Sequence, residues 1–141
     1  MKPSGTKTRS RARRLALQAL YRWQMNQDDL DEITLQFHQN PLAERSDMEY
    51  FSRLFRGVVD HLPQIDERLQ PYMDCRMDRV DPVERAALRI GMFELTYMLD
   101  VPNSVAINEA IELAKMFGSD EGYRFVNAVL DKANKASAVQ K

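Results

Sequence analysis

Apolar positions recur at three- and four-residue intervals through most of the chain, and strict two-residue alternation is scarce, which predicts helices rather than strands. The spacing places helices near residues 8–27, 29–38, 47–62, 64–73, 82–99, 104–117 and 120–135, with glycine and proline falling between them. The third opens Ser46-Asp47-Met48-Glu49, where the Ser46 hydroxyl and the Glu49 carboxylate can cap each other's free N–H groups, and then offers Phe51, Leu54, Phe55, Val58 and Leu62 for burial. The fifth opens Asp81-Pro82-Val83-Glu84, a comparable cap with proline at the first helical position, where no backbone donor is lost from the ladder. It carries Ala86, Ile90, Phe93 and Tyr97 on one side and Leu88, Leu95 and Leu99 on the other, so it should be the central helix. Asp100-Val101-Pro102 ends it, and the sixth brings Ala106, Ile107, Ala110, Ala114 and Phe117 before Gly118, a residue suited to the left-handed conformation that closes many helices. The last turns Val126, Val129, Leu130 and Ala133 inward and Arg124, Asn127, Asp131 and Lys135 outward. An all-α protein follows.

Composition narrows the class. A chain of 141 residues, 44% hydrophobic and 29% charged, with five glycines and six prolines, suits one compact domain around one continuous core and excludes collagenous or disordered architectures. No internal repeat or flexible interior linker is evident, and the ends, Met1 to Lys7 and Asn134 to Lys141, look weakly anchored. Cys75 is the single cysteine, so neither an intrachain disulfide framework nor a multi-cysteine zinc site can form, which suits a reducing compartment, and the chain reads as cytoplasmic. No stretch approaches the roughly 20 apolar residues of a membrane span, and the N-terminus has no apolar region followed by a small-residue cleavage site.

The net charge of −1 conceals a strong asymmetry. Lys2, Lys7, Arg9, Arg11, Arg13, Arg14 and Arg22 all precede the first acidic residue, Asp28, leaving 13 basic against 21 acidic residues, or −8, in the remainder. Such segregation gives the molecule a positive end able to orient a polyanion. In the first helix Ala12, Ala16, Ala19, Leu20 and Trp23 share one side, and Lys7, Arg11, Arg14, Gln18, Tyr21 and Arg22 share a stripe of about 100° opposite them. Guanidinium groups bind successive phosphates, Gln18 can hydrogen-bond a base edge, and Tyr21 offers a ring for an unpaired base, which together make the parts of a single-stranded RNA site. The competing reading is a solvated helix whose arginines only solubilise it, with Tyr21 packed on a neighbour. Duplex DNA suits the sequence less, because no helix-turn-helix or zinc-finger signature is present.

Glu84 is ambiguous: its place in the cap accounts for it, yet a carboxylate at an exposed helix start could also meet a basic partner protein. His38 and His61 lack ligand spacing and read as solvated or structural, so no metal site is expected. No Walker loop, dinucleotide fingerprint, nucleophile elbow or HExxH motif occurs, which leaves catalysis without a candidate constellation and gives no reason to expect a cofactor. Met92, Met98 and Met116 at helical positions read as core gap-fillers.

The run Arg11-Ala12-Arg13-Arg14-Leu15-Ala16-Leu17-Gln18-Ala19-Leu20-Tyr21-Arg22-Trp23-Gln24 resembles the N-terminal signature of the NusB family of transcription antitermination proteins. Val83-Glu84-Arg85-Ala86, Asp100-Val101-Pro102, Val105 through Lys115, Phe125-Val126-Asn127 and Val129 through Lys132 resemble further motifs of that family, in order along nearly the whole chain. The resemblance implies a single domain, 1–141, made of an N-terminal helical subdomain, 1–62, and a C-terminal one, 63–141. It implies a non-enzymatic module that pairs with ribosomal protein NusE and binds boxA RNA in nascent ribosomal RNA transcripts, so that RNA polymerase, joined by other Nus factors, reads through terminators.

Carried over by position, the resemblance assigns Lys7, Arg9, Arg11, Arg14, Gln18, Tyr21, Arg124 and Phe125 to the RNA surface and Tyr21 and Glu84 to NusE. The chain departs from the family pattern at Gly122 and Ala128, where serine and glycine are usual, and residues 30–47 match least. Two other readings stand beside this one. An RNA-binding accessory module for ribosomal RNA modification has a similar domain ahead of a methyltransferase, and a helical homodimer would place the Tyr21 stripe against acidic patches of a second copy.

Overall fold

A computed structural model describes residues 6–138 of the chain. Among them the sequence folds into α1 (Thr6–Asn26), α2 (Leu30–His38), α3 (Met48–Asp60), α4 (Leu62–Leu69), α5 (Pro82–Tyr97), α6 (Asn103–Phe117) and α7 (Gly122–Ala138), with short 3-10 turns at Pro41–Arg45, Gln70–Tyr72 and Met77–Arg79. Every helix expected from the periodicity forms, with ends shifted by a few residues. Helix α5 is the axis, as its two apolar sides required: residues Ala86 through Glu94 are buried without interruption, and α1, α3, α4, α6 and α7 all pack on it. Helix α1 lies on α3 and α5, and α6 and α7 pair with each other. One apolar cluster runs from Ala12 in α1 to Ala133 in α7.

The caps differ in detail from the expected ones. Asp81 caps α5 by accepting from the Val83 and Glu84 N–H groups, with Pro82 following it. At α3 the cap is Asp47, which accepts from Tyr50 N, while the Ser46 hydroxyl donates to the Leu42 carbonyl. Helix α3 ends at Asp60, and Leu62 opens α4, half-buried. Gly118 is not left-handed but extended, with φ −99° and ψ −168°, and its N–H still donates to Ala114 O. Glycine is needed there because a Cβ would stand 2.7 Å from that carbonyl oxygen and 3.4 Å from Val83 Cγ1. The left-handed residue among those described is Gln27, φ 52°, which closes α1 with its N–H on Trp23 O.

Four expected core or terminal positions behave otherwise, Leu99, Met116, Asn134 and Lys7. Leu99 lies past the end of α5 and is 89% exposed, and Met116 is also exposed, whereas Met92 and Met98 do fill the core. Asn134 is anchored, accepting a hydrogen bond from Asn103, and α7 continues to Ala138. At the other end Thr6 and Lys7 already belong to α1, and Asp47 N donates to Thr8 O. Lys2 and the rest of 1–5 lie outside the described residues, as do 139–141.

Charge also enters the interior, where the periodic pattern shows only apolar faces. Arg13 is buried in α1 and forms a two-pronged pair with Glu94 of α5, Nε at 3.0 Å from each carboxylate oxygen and Nη2 at 2.9 Å from Oε2. The Tyr50 hydroxyl of α3 donates to the same carboxylate, and Glu109 of α6 approaches Arg13 at 3.5 Å while accepting from Ser10 at 2.7 Å. Desolvation alone would lower the Arg13 pKa, but the Glu94 hydrogen bond and charge carry it above its usual value. Burial, then the Glu94 charge, pushes the Tyr50 phenol upward. A second, part-buried pair joins Arg89 of α5 to Asp66 of α4, with Gln24 of α1 accepting from Arg89 and donating to Pro82 O. These polar groups are matched donor to acceptor, which is the condition for tolerating charge in a core.

Candidate nucleic-acid interface

Helix α1 divides as its sequence dictates. Ala12, Ala16, Ala19 and Leu20 are buried and Trp23 packs against the core, leaving Lys7, Arg11, Arg14, Gln18 and Tyr21 in line on the outer side. From Lys7 to Tyr21 this line runs about 21 Å at 1.5 Å per residue. Among the described residues Lys7, Arg11 and Arg14 meet no carboxylate, and Arg11 only donates to the Arg45 carbonyl at 3.0 Å. Gln18 donates to Arg14 O at 3.2 Å, which leaves its amide oxygen open. Tyr21 is 39% exposed, so its ring stands out rather than filling a helix contact.

Beside Tyr21 a groove of about 480 Å³ is walled by Leu17, Gln18, Arg22, Phe37, Val83 and Phe117. Arg22, counted with the stripe on spacing, is held there by Asp28 at 3.2 Å and by Gln36. Cationic groups, an amide and an open aromatic ring with an apolar floor can hold phosphates, a base edge and a base face respectively.

The structure does not bring Arg9 to this face. It sits on the opposite side of α1, pairs with Asp100 at 3.0 Å and lies over the Tyr50 ring at 4.4 Å. The Arg9 hydrogen bond holds the Asp100 carboxyl below its ordinary value. Arg13 is likewise removed from any cationic surface by its burial with Glu94. The positive end of the sequence is thus narrower in space than along the chain.

Glu84 and the start of α7 complete the region. Val83, which lines the groove, precedes Glu84, whose carboxylate lies over Gly122. Helix α7 therefore begins beside the groove, and its first turn carries Arg124 and Phe125. Arg124 is exposed and paired with Glu121 at 3.0 Å, and Phe125 is half-buried against the core. The spacing argument missed the neighbouring cluster in which Lys115 and Arg124 both approach the Tyr123 ring, at 4.9 and 5.8 Å. Lys115 and Tyr123 come from different helices, and no local pattern pairs them. His38 and His61 each bond a carbonyl one turn back, Thr34 O and Gly57 O, through Nδ1.

Fold and surface together define an all-helical binding module that presents a cationic and aromatic stripe on its opening helix. The NusB family matches residues 10–135 of the chain. The transcription antitermination protein NusB of Idiomarina loihiensis is 49% identical over 133 residues, covering 94% of each chain. The protein of the same name from Stenotrophomonas maltophilia is 50% identical over 125 residues, covering 89% of this chain and 79% of its own. A crystal structure of antitermination factors NusB and NusE in complex with double-stranded RNA superposes with a TM-score of 0.81 at 28% identity, covering 94% of this chain and 99% of the other. The chain belongs to the NusB family. Among the described residues no helix is long and apolar enough to cross a membrane.

Proposed function

We propose that the chain is a cytoplasmic transcription antitermination factor that catalyses no reaction itself. It pairs with NusE, binds boxA RNA in nascent ribosomal RNA transcripts, and with other Nus factors commits RNA polymerase to read-through. The observation that carries this reading is the stripe of Lys7, Arg11 and Arg14, which meet no carboxylate among the described residues and are continuous with Gln18 and the open Tyr21 ring. Membership of the family supports it, as does the neighbouring structure, in which NusB is held with NusE and RNA.

In this reading Lys7, Arg11 and Arg14 neutralise phosphates, Gln18 and Tyr21 take unstacked bases, and Arg124 and Phe125 extend the path onto α7. Arg9 is left to the Asp100 pair. Tyr21, which lines the groove, and the half-buried Glu84, next to the groove-lining Val83, are the residues assigned to NusE. The binding unit is the single domain 1–141, with halves 1–62 and 63–141 joined through α5.

The test is titration of labelled boxA RNA with the chain, with and without NusE, using duplex of the same sequence as competitor. The expected result is that NusE tightens binding, that single strand outcompetes duplex, and that Arg14→Ala and Tyr21→Ala each weaken binding while circular dichroism stays unchanged. Wild-type affinity in both variants would remove the stripe from the interface.

A further inference from the structure

The space above Gly122 is already taken. A Cβ placed there would stand 2.6 Å from Glu84 Oε2, 2.8 Å from Cδ and 3.0 Å from Cγ, all closer than ordinary van der Waals contact. The Glu84 side chain thus lies against the first turn of α7, and its nearest atoms there are those that a Cβ at residue 122 would meet. That turn is tightly wound, with Gly122 N–H on Ser119 O at 3.2 Å and Arg124 N–H on Glu121 O at 3.1 Å. Glycine at the head of a helix has more backbone freedom to lose than any other residue, so a contact that holds it has a large effect on where the turn sits. A carboxylate at this end is also aligned with the helix peptide dipoles. Desolvation is the largest reason that the Glu84 pKa is raised, as expected of a carboxylate enclosed by this contact.

We propose that Glu84 is a positioning residue for the RNA-facing end of α7, a latch that closes over Gly122 and thereby fixes the directions of Arg124 and Phe125. This rests on the reading of those two residues as RNA contacts. The latch works because residue 122 has no side chain. An added methyl group leaves the Glu84 charge in place but lifts the carboxylate off the turn, since the atoms it meets are the far end of a flexible side chain. Glu84 therefore acts within the chain on RNA affinity before any partner protein is present.

The experiment is titration of labelled boxA RNA with the full chain in the absence of NusE, on Glu84→Ala, Glu84→Gln, Gly122→Ala, Arg124→Ala, Arg14→Ala and the double variants that combine Glu84→Ala with each arginine change. Glu84→Ala and Gly122→Ala should each weaken binding about tenfold, the equivalent of ~1.4 kcal/mol. Glu84→Gln, which keeps a side chain of the same shape over Gly122, should recover most of that loss. In the Glu84→Ala background Arg124→Ala should add little, because the arginine is already misplaced, whereas Arg14→Ala should add its full effect. The latch is overturned if Glu84→Ala and Gly122→Ala bind like the wild type while Arg14→Ala is impaired, or if Arg124→Ala has its full effect on both backgrounds. Should Arg14→Ala also bind like the wild type, the RNA reading fails and the latch fails with it.

Discussion

Tyr21 and Glu84 carry opposite commitments. The Tyr21 ring is open, and stacking one base on such a ring contributes about 1 to 3 kcal/mol, so Tyr21→Ala should weaken RNA binding roughly five- to 150-fold with no loss of thermal stability. Glu84 leans on Gly122 of a neighbouring helix, and its raised pKa makes a pH prediction possible. A carboxyl whose folded pKa exceeds its unfolded value near 4.5 favours the folded state most when protonated, so its contribution declines as pH rises through that window. Glu84→Gln removes this dependence. The melting temperature of Glu84→Gln relative to wild type should therefore increase between pH 4.5 and neutrality. A difference that stays constant with pH would show that the carboxylate is not enclosed in solution.

At the scale of the element, α1 serves two surfaces at once, and Arg13 shows how. It follows Ala12 and precedes Ala16, Leu17 and Leu20 by three, four and seven residues, which puts it on the buried side, although the charge pattern counts it with the positive end. Its partner has no trace in the spacing: Glu94 is 81 residues away and lies among apolar neighbours of the central helix. Removing Arg13 would leave Glu94 buried without its cation, a situation that typically costs about 3 to 5 kcal/mol. Urea denaturation of Arg13→Ala should show a loss of that order, with RNA affinity of the folded fraction preserved. A loss below about 1 kcal/mol would place the pair in solvent. Helix starts were legible where a cap is a property of adjacent residues, as at Asp81-Pro82. The choice of Asp47 over Ser46 was decided by the preceding 3-10 turn, which recruits the Ser46 hydroxyl to Leu42 O.

For the whole molecule, α1 to α3 and α4 to α7, the latter starting at Leu62 so that the proposed boundary at 62 falls within α4, share the apolar cluster and are tied by Arg13–Glu94, Arg9–Asp100 and Gln24–Arg89. We expect one cooperative unfolding transition in urea, with circular dichroism and Trp23 fluorescence superimposing. Two separated transitions would mean that the halves fold independently. Charge at this scale is tested by salt. Three phosphates neutralised by Lys7, Arg11 and Arg14 should give a slope near −2 in log affinity against log salt, and Arg14→Ala should reduce it by about 0.7. Arg9→Ala should leave the slope nearly unchanged, since Asp100 already neutralises that charge.

The all-helical class, the central position of α5 and the two-faced character of α1 were determined by the sequence itself, because a period of 3.6 residues is a local property that each segment carries unaided. The tertiary structure decided which of the clustered arginines remain free, where the Glu84 carboxylate points and why residue 122 is glycine. Each of those depends on atoms brought within a few ångströms by packing of distant segments, and spacing along the chain holds no record of such contacts. Seven basic residues before Asp28 read as one positive end; folding sequesters Arg13 and ties Arg9 and Arg22 to carboxylates, and leaves the shorter stripe on which RNA binding is proposed to depend.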